Sequence, residues 1–124
     1  MPWDFDSDRP IYLQLIEKIE LMIFSGKYPP GAKLPSVRDI AKEAAVNPNT
    51  MQRALAKLEE DGLIITHRTS GRFITEDEKM IKKAKTRLAQ EQTTEFFANM
   101  QKLGFDKTEV IAMVNQMLEK ECKE

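Results

Sequence analysis

The chain holds one cysteine, Cys122, and one histidine, His67, among its 124 residues. A single cysteine cannot close an intramolecular disulfide and cannot build a Cys-rich zinc site. Both exclusions fit a reducing cytoplasm, the expected location. With no second histidine, His67 is a wing residue in prospect rather than a metal ligand, so neither metal nor cofactor is expected. Long apolar runs are missing too. A membrane span takes roughly 18–20 consecutive apolar residues, and no stretch approaches that. The opening MPWDFDSDRP is acidic and has no apolar h-region, so no secretory signal is expected. Neither a Gly-rich phosphate loop nor a carboxylate pair with metal-ligand spacing occurs, which argues against an enzyme. No internal repeat is visible. An excess of charge of one sign is also lacking: 19 Lys+Arg against 20 Asp+Glu leave a formal net charge of −1. Any case for a nucleic-acid partner must therefore come from local charge.

Against these absences, 41% apolar and 31% charged residues are ordinary for a folded chain. The length suits one domain, or one small domain with an appendage. Ile11, Tyr12, Leu15, Ile16, Ile19, Met22 and Ile23 recur at helical spacing behind Pro10, which fits a first helical turn. Gly26 can end that helix, and Tyr28-Pro-Pro-Gly31 makes a turn. Ser36 reads as the next N-cap, with Asp39 near the first-turn amides and Val37, Ile40, Ala41 and Ala44 facing inward. "AAVNPNTMQRAL", 44–55, then breaks one helix only to start another. Asn47 is a good N-cap and Pro48 fits the N1 position, so the break is a specified turn between two short helices. The third helix runs to about Glu60, with Met51, Ala54, Leu55 and Leu58 buried, and Gly62 stops it. "LIITHRTSGRFIT", 63–75, reads as a two-stranded hairpin turning around Thr69 to Gly71.

From Glu76 the texture changes. Ile81, Ala84, Leu88, Phe96, Met100 and Leu103 fall on one helical stripe. Leu103-Gly104-Phe105 breaks it. Asp106 and Glu109 form a capping-box variant ahead of a last helix carrying Val110, Met113, Val114, Met117 and Leu118. The reading is a mainly α chain with a small β-hairpin. A winged helix-turn-helix DNA-binding domain spans 1–76, and a C-terminal two-helix dimerisation hairpin spans 77–124. Such a hairpin cannot bury both apolar faces alone. Leu88, Phe96, Met100, Leu103, Val110, Val114 and Met117 are the candidates for the dimer contact.

The second helix of a helix-turn-helix lies in the major groove, so its outward residues must address base edges and phosphates. Arg53 suits guanine, Asn49 and Gln52 suit adenine, Thr50 suits a phosphate, and Lys57 reaches farther along the same face. Segments 47–58 and 67–72 contain Arg53, Lys57, Arg68 and Arg72 and no acid. A wing with Arg68, Ser70, Gly71 and Arg72 can follow a phosphate strand or dip into a minor groove. Arg53 and Lys57 taken alone are equally an ordinary solvated face. The ordered combination of capped turn, polar basic helix, Gly stop and basic hairpin favours double-stranded DNA. The other reading is a helix-turn-helix used as a protein–protein adaptor without specific DNA binding.

"GAKLPSVRDIAKEAAVNPNTMQRALAKLEEDGLI", 31–64, resembles the DNA-binding domain of the GntR family of bacterial transcription regulators. Its VNPNT turn resembles the YtrA branch, and the short tail is similar to that branch's C-terminal domain. The resemblance implies a homodimeric repressor on an inverted-repeat operator, acting by occluding polymerase, with a transporter operon as a target. By position it implies a DNA contact for Arg38, a capping role for Ser36, phosphate and base contacts for Thr50 and Arg53, and a wing tip at Gly71. The sequence departs from the family where Pro48 replaces an arginine, which shifts weight to Asn47 and Asn49. It departs again in the wing, where Thr69 and Arg72 replace a glycine and a small residue. Nothing specifies a small-molecule effector, and a site for one between subunits stays open.

Overall fold

The computed structural model describes residues 3–123. The order is α1 (Ile11–Phe24), α2 (Val37–Ala44), α3 (Pro48–Glu60), β1 (Ile64–His67), β2 (Gly71–Ile74), α4 (Glu78–Lys102) and α5 (Lys107–Lys123). The fold is a winged helix-turn-helix followed by C-terminal helices, as the periodicity predicts. Two compact units emerge, Met1–Lys85 and Thr86–Glu124.

In the first unit, α3 packs on α1, α2 and β1. Leu15 and Ile19 of α1, Ile40 of α2, Met51, Leu55 and Leu58 of α3, and Leu63, Ile64 and Ile74 of the hairpin are all fully buried. Each such side chain contributes about 1.5–3 kcal/mol relative to exposure, so the hydrophobic stripes of the three helices define the core. The boundary between units falls inside α4, later than the change of texture at 76/77. The reason is that Ile81 and Ala84 still pack on the winged core.

The N-terminal arm carries order that the helical pattern does not announce. Pro10 sits just ahead of α1, at the cap, rather than inside the first turn. Buried Gln14 donates to the carbonyls of Asp6 and Arg9 at 2.9 Å each and accepts from the Asp6 N–H at 2.7 Å. That clamp holds the arm, and Trp3 and Phe5 pack against the core.

The turn residues behave as capping chemistry requires. The Ser36 hydroxyl accepts from the Asp39 N–H at 3.2 Å, and Asn47 Oδ1 accepts from the Asn49 N–H at 2.7 Å. Helix α2 ends on Ala45, whose φ of 60° lies in the left-handed region. The Val46 N–H reaches back to the Ala41 carbonyl at 3.0 Å, closing α2 as a C-terminal cap. Helix α3 closes the same way, with Gly62 at φ 86° and the Leu63 N–H on the Leu58 carbonyl at 3.0 Å.

The hairpin pairs Ile64 with Ile74, Ile65 with Phe73, Thr66 with Arg72 and His67 with Gly71. The Ser70 N–H bonds the His67 carbonyl at 3.2 Å, and Gly71 follows at φ 102°. The three loop residues Arg68 to Ser70 thus lead into a glycine at the head of β2, where a positive φ favours glycine. A segment before α2 joins the hairpin: Lys33 bridges Phe73, and the Leu34 N–H bonds the Arg72 carbonyl at 2.9 Å. The base of the wing is thereby tied to the approach to α2.

In the second unit, Phe105 N–H bonds the Met100 carbonyl at 3.1 Å around Gly104, ending α4. Asp106 and Glu109 then form a reciprocal capping box: the Glu109 N–H donates to Asp106 Oδ1 at 2.8 Å and the Asp106 N–H to Glu109 Oε1 at 3.2 Å. The Cys122 side chain lies outside the described residues.

Candidate nucleic-acid interface

Helix α3 turns Met51, Ala54, Leu55 and Leu58 into the core. At 3.6 residues per turn this directs Asn49, Gln52 and Arg53 outward, and all three are exposed. Thr50 is half-buried in the first turn. Asn47 is exposed, but its side-chain oxygen is occupied in capping α3. At this N-terminus Pro48 has no N–H and the Asn49 N–H is taken by Asn47, which leaves the Thr50 N–H and the positive end of the helix dipole to favour a phosphate.

Two basic residues behave differently from the simple count of charge. Lys57 is half-buried and its Nζ lies 3.5 Å from Asp61 Oδ1, one turn on. Its charge is partly spent inside the helix, so it is a weaker candidate for DNA than its spacing suggests. Among the described residues Arg53 makes no such pair. Its guanidinium Cζ lies 4.6 Å from the centroid of the Tyr12 ring on α1.

The wing and the start of α2 form a second cluster. Lys33, Ser36, Ser70, Gly71 and Arg72 line one open groove. The Lys33 Cε would stand 3.5 Å from a Cβ placed on Gly71, so the lysine stem runs alongside the wing tip. Arg72 is half-buried, and its Nε is a buried donor without a hydrogen-bond partner among the described residues. An unsatisfied buried donor costs about 1–3 kcal/mol, a deficit that an acceptor such as a phosphate oxygen relieves. Arg38 and Arg68 are exposed, at the start of α2 and in the wing loop. The His67 ring meets Phe73 edge-on at 4.9 Å, the packing of a wing residue. No group of side chains suited to a metal ion occurs among the described residues.

Lys33 and Tyr12 are the residues that sequence reasoning missed. In the sequence Tyr12 reads only as part of the apolar stripe of α1. The one available signal for Lys33 was alternation in Ala32-Lys33-Leu34, where Leu34 is buried and Lys33 exposed.

The C-terminal candidates divide. Phe96, Leu103, Val114 and Met117 are exposed, and Leu88 and Met100 are half-buried. Val110 is corrected: at 1% exposure it is buried within a single chain and has no surface to offer a partner. Adjacent Phe97, not Phe96, turns inward, and the two rings lie 5.7 Å apart.

Residues 11–74, which contain this whole arrangement of capped α3, α2 and wing, match the family model of the bacterial regulatory proteins of the gntR family. The chain belongs to the GntR family. It is 36% identical over 115 residues to the HTH-type transcriptional regulator YhcF of Bacillus subtilis, covering 93% of this chain and 95% of that one. It is 42% identical over 73 residues to the transcriptional repressor YtrA of the same organism, covering 59% of this chain and 56% of the relative. A GntR family regulator from Listeria monocytogenes superposes with a TM-score of 0.82 at 42% identity, over 90% of this chain and 98% of the other. The DNA-binding domain of AraR in complex with operator ORX1 superposes with a TM-score of 0.54 at 26% identity, over 58% of this chain and 93% of that domain. The GntR chain described here is thus a transcriptional regulator with a DNA-binding domain, and its relatives are regulators rather than enzymes. No helix among the described residues is long and apolar enough to cross a membrane.

Proposed function

We propose that this GntR protein is a homodimeric repressor of the YtrA branch that binds an inverted-repeat operator in double-stranded DNA. The observation that carries the reading is the exposed polar face of α3, rising from a capped N-terminus and free of acid from Asn49 to Lys57. In this reading Arg53 addresses guanine, Asn49 and Gln52 address adenine, and Thr50 takes a phosphate. Arg38, Lys33, Arg68 and Arg72 hold the backbone, with Ser36 and Ser70 beside them, and so fix register without reading sequence. The superposition on an AraR domain bound to operator DNA supports this orientation of the fold. The VNPNT turn and the match to the YtrA repressor support the branch and the direction of regulation.

Dimerisation is inferred from apolar surface. Leu103 is 71% exposed, Met117 67%, and Ile111 and Leu118 53% each. A monomer rarely leaves so many large apolar side chains in water, and a second copy covers such a face by two-fold symmetry. Two-fold symmetry in turn calls for paired half-sites about one helical turn apart, or a small multiple of it.

The test is selection of random duplex DNA by the purified full chain at near-physiological salt. An enriched inverted repeat supports the proposal. Binding without enrichment contradicts it, and the absence of any salt-dependent DNA binding favours the adaptor reading.

A further inference from the structure

Arg53 stands on the exposed side of α3, yet it is not loose. Its guanidinium covers the Tyr12 ring, with Cζ 4.6 Å from the centroid. Tyr12 belongs to the first turn of α1, outside the helix-turn-helix pair, and its half-buried ring packs against the hydrophobic core. The ring is therefore a fixed platform. Among the described residues no carboxylate pairs with Arg53, in contrast to Lys57, which leans on Asp61.

Stacking engages only the flat face of a guanidinium. Its in-plane N–H donors stay available, and they are the ones that recognise a pair of acceptors bidentately. A ring beneath an arginine thus removes rotamers without consuming a hydrogen bond. The attraction also strengthens when water is excluded, as it is beneath a bound duplex.

We propose that Tyr12 is a positioning residue for sequence recognition: it holds the Arg53 guanidinium so that its donor edge meets the two acceptors of a guanine. Tyr12 then determines selectivity at one base pair without touching DNA. The proposal rests on the reading of α3 as the base-reading helix.

The experiment selects random-sequence duplexes with the full chain as wild type, Tyr12→Phe, Tyr12→Leu, Tyr12→Met, Arg53→Ala and the Arg53→Ala/Tyr12→Leu double variant. Thermal melts confirm folding, and Tyr12→Met carries the test if Tyr12→Leu does not fold. Tyr12→Phe keeps the ring and is expected to keep the wild-type motif. Tyr12→Leu and Tyr12→Met are expected to lose roughly 3- to 10-fold preference at the base pair that Arg53→Ala relaxes, and nowhere else. In the Arg53→Ala background, Tyr12→Leu is expected to add nothing. Folded Leu and Met variants that retain full preference, while Arg53→Ala loses it, overturn the positioning role and leave base reading intact. A loss shared by Tyr12→Phe, or spread evenly over all positions, overturns it as well. If Arg53→Ala relaxes no base pair, base reading itself fails and the proposal falls with it.

Discussion

Ala45→Gly is expected to stabilise the winged unit. Ala45 holds φ 60° and ψ 46°, the left-handed region, at the end of α2. A Cβ in that conformation costs about 1–2 kcal/mol. Glycine removes that strain but adds about 0.4–1 kcal/mol of unfolded-state entropy. The balance spans about 0–1.6 kcal/mol, with a midpoint gain of about 0.8 kcal/mol. The conformation itself is imposed from outside, because Val46 N–H must reach the Ala41 carbonyl while Asn47 caps α3. Glycine can adopt it equally well, so the turn and the orientation of α3 are retained. For a unit of this size the gain raises Tm by about 3–6 °C. Thermal and urea unfolding followed by circular dichroism, at fixed protein concentration so that association does not confound the comparison, measure it. A Tm that falls, or a change in the urea m-value with no rise in midpoint, would refute the reasoning.

Gly62→Ala runs the other way: φ is 86° and the new Cβ meets Met80 Cε at 3.2 Å, so a loss of about 1–2 kcal/mol is expected in the same melts. Met117→Glu with Val114→Glu should convert a dimer to monomers at micromolar concentration in sedimentation equilibrium, with Tm of the winged unit unchanged, and persistence of the dimer would place the contact elsewhere. Lys33→Ala should weaken DNA binding evenly across sequences and flatten the slope of log K against log salt by about 1, as the loss of one phosphate contact does. A selective loss at one base pair would instead assign Lys33 to base reading. Asn47→Ala should cost about 1 kcal/mol of stability through the α3 cap.

Elements governed by local chemistry were legible in the sequence. Ser36, Asn47-Pro48, Gly62 and the Asp106–Glu109 box mark helix ends because the bonds they make span only two to three residues. The apolar core positions of α1 to α3 followed from periodicity, since one face of each helix must meet the others, but in α1 Ile11 of the stripe is exposed while Gln14 and Glu20 are buried. What escaped depends on distant partners. The Lys33–Phe73 bridge and the groove beside Gly71 join segments far apart in the chain. Tyr12 satisfies the helical stripe of α1, so its second role beneath Arg53 leaves no trace in the pattern. Ala45 carries no sign of its left-handed backbone, because alanine is otherwise the best helix former. In α4 the stripe cannot separate Phe96 from Phe97, since adjacent residues differ by about 100° and either can serve the apolar side. Val110 shows the converse limit: periodicity marks an apolar position but not whether one chain or two bury it.

In the proposed function α3, the start of α2 and the wing form one DNA-binding face. Backbone amide chemical-shift mapping of the labelled chain, titrated with the duplex enriched by selection, tests it most directly. The largest changes are expected at Ser36, Arg38, Asn49, Gln52, Arg53 and Ser70 to Arg72, with little change along Ile111 to Leu118. Changes confined to α5, or to the lysines of α4 with α3 silent, would contradict it.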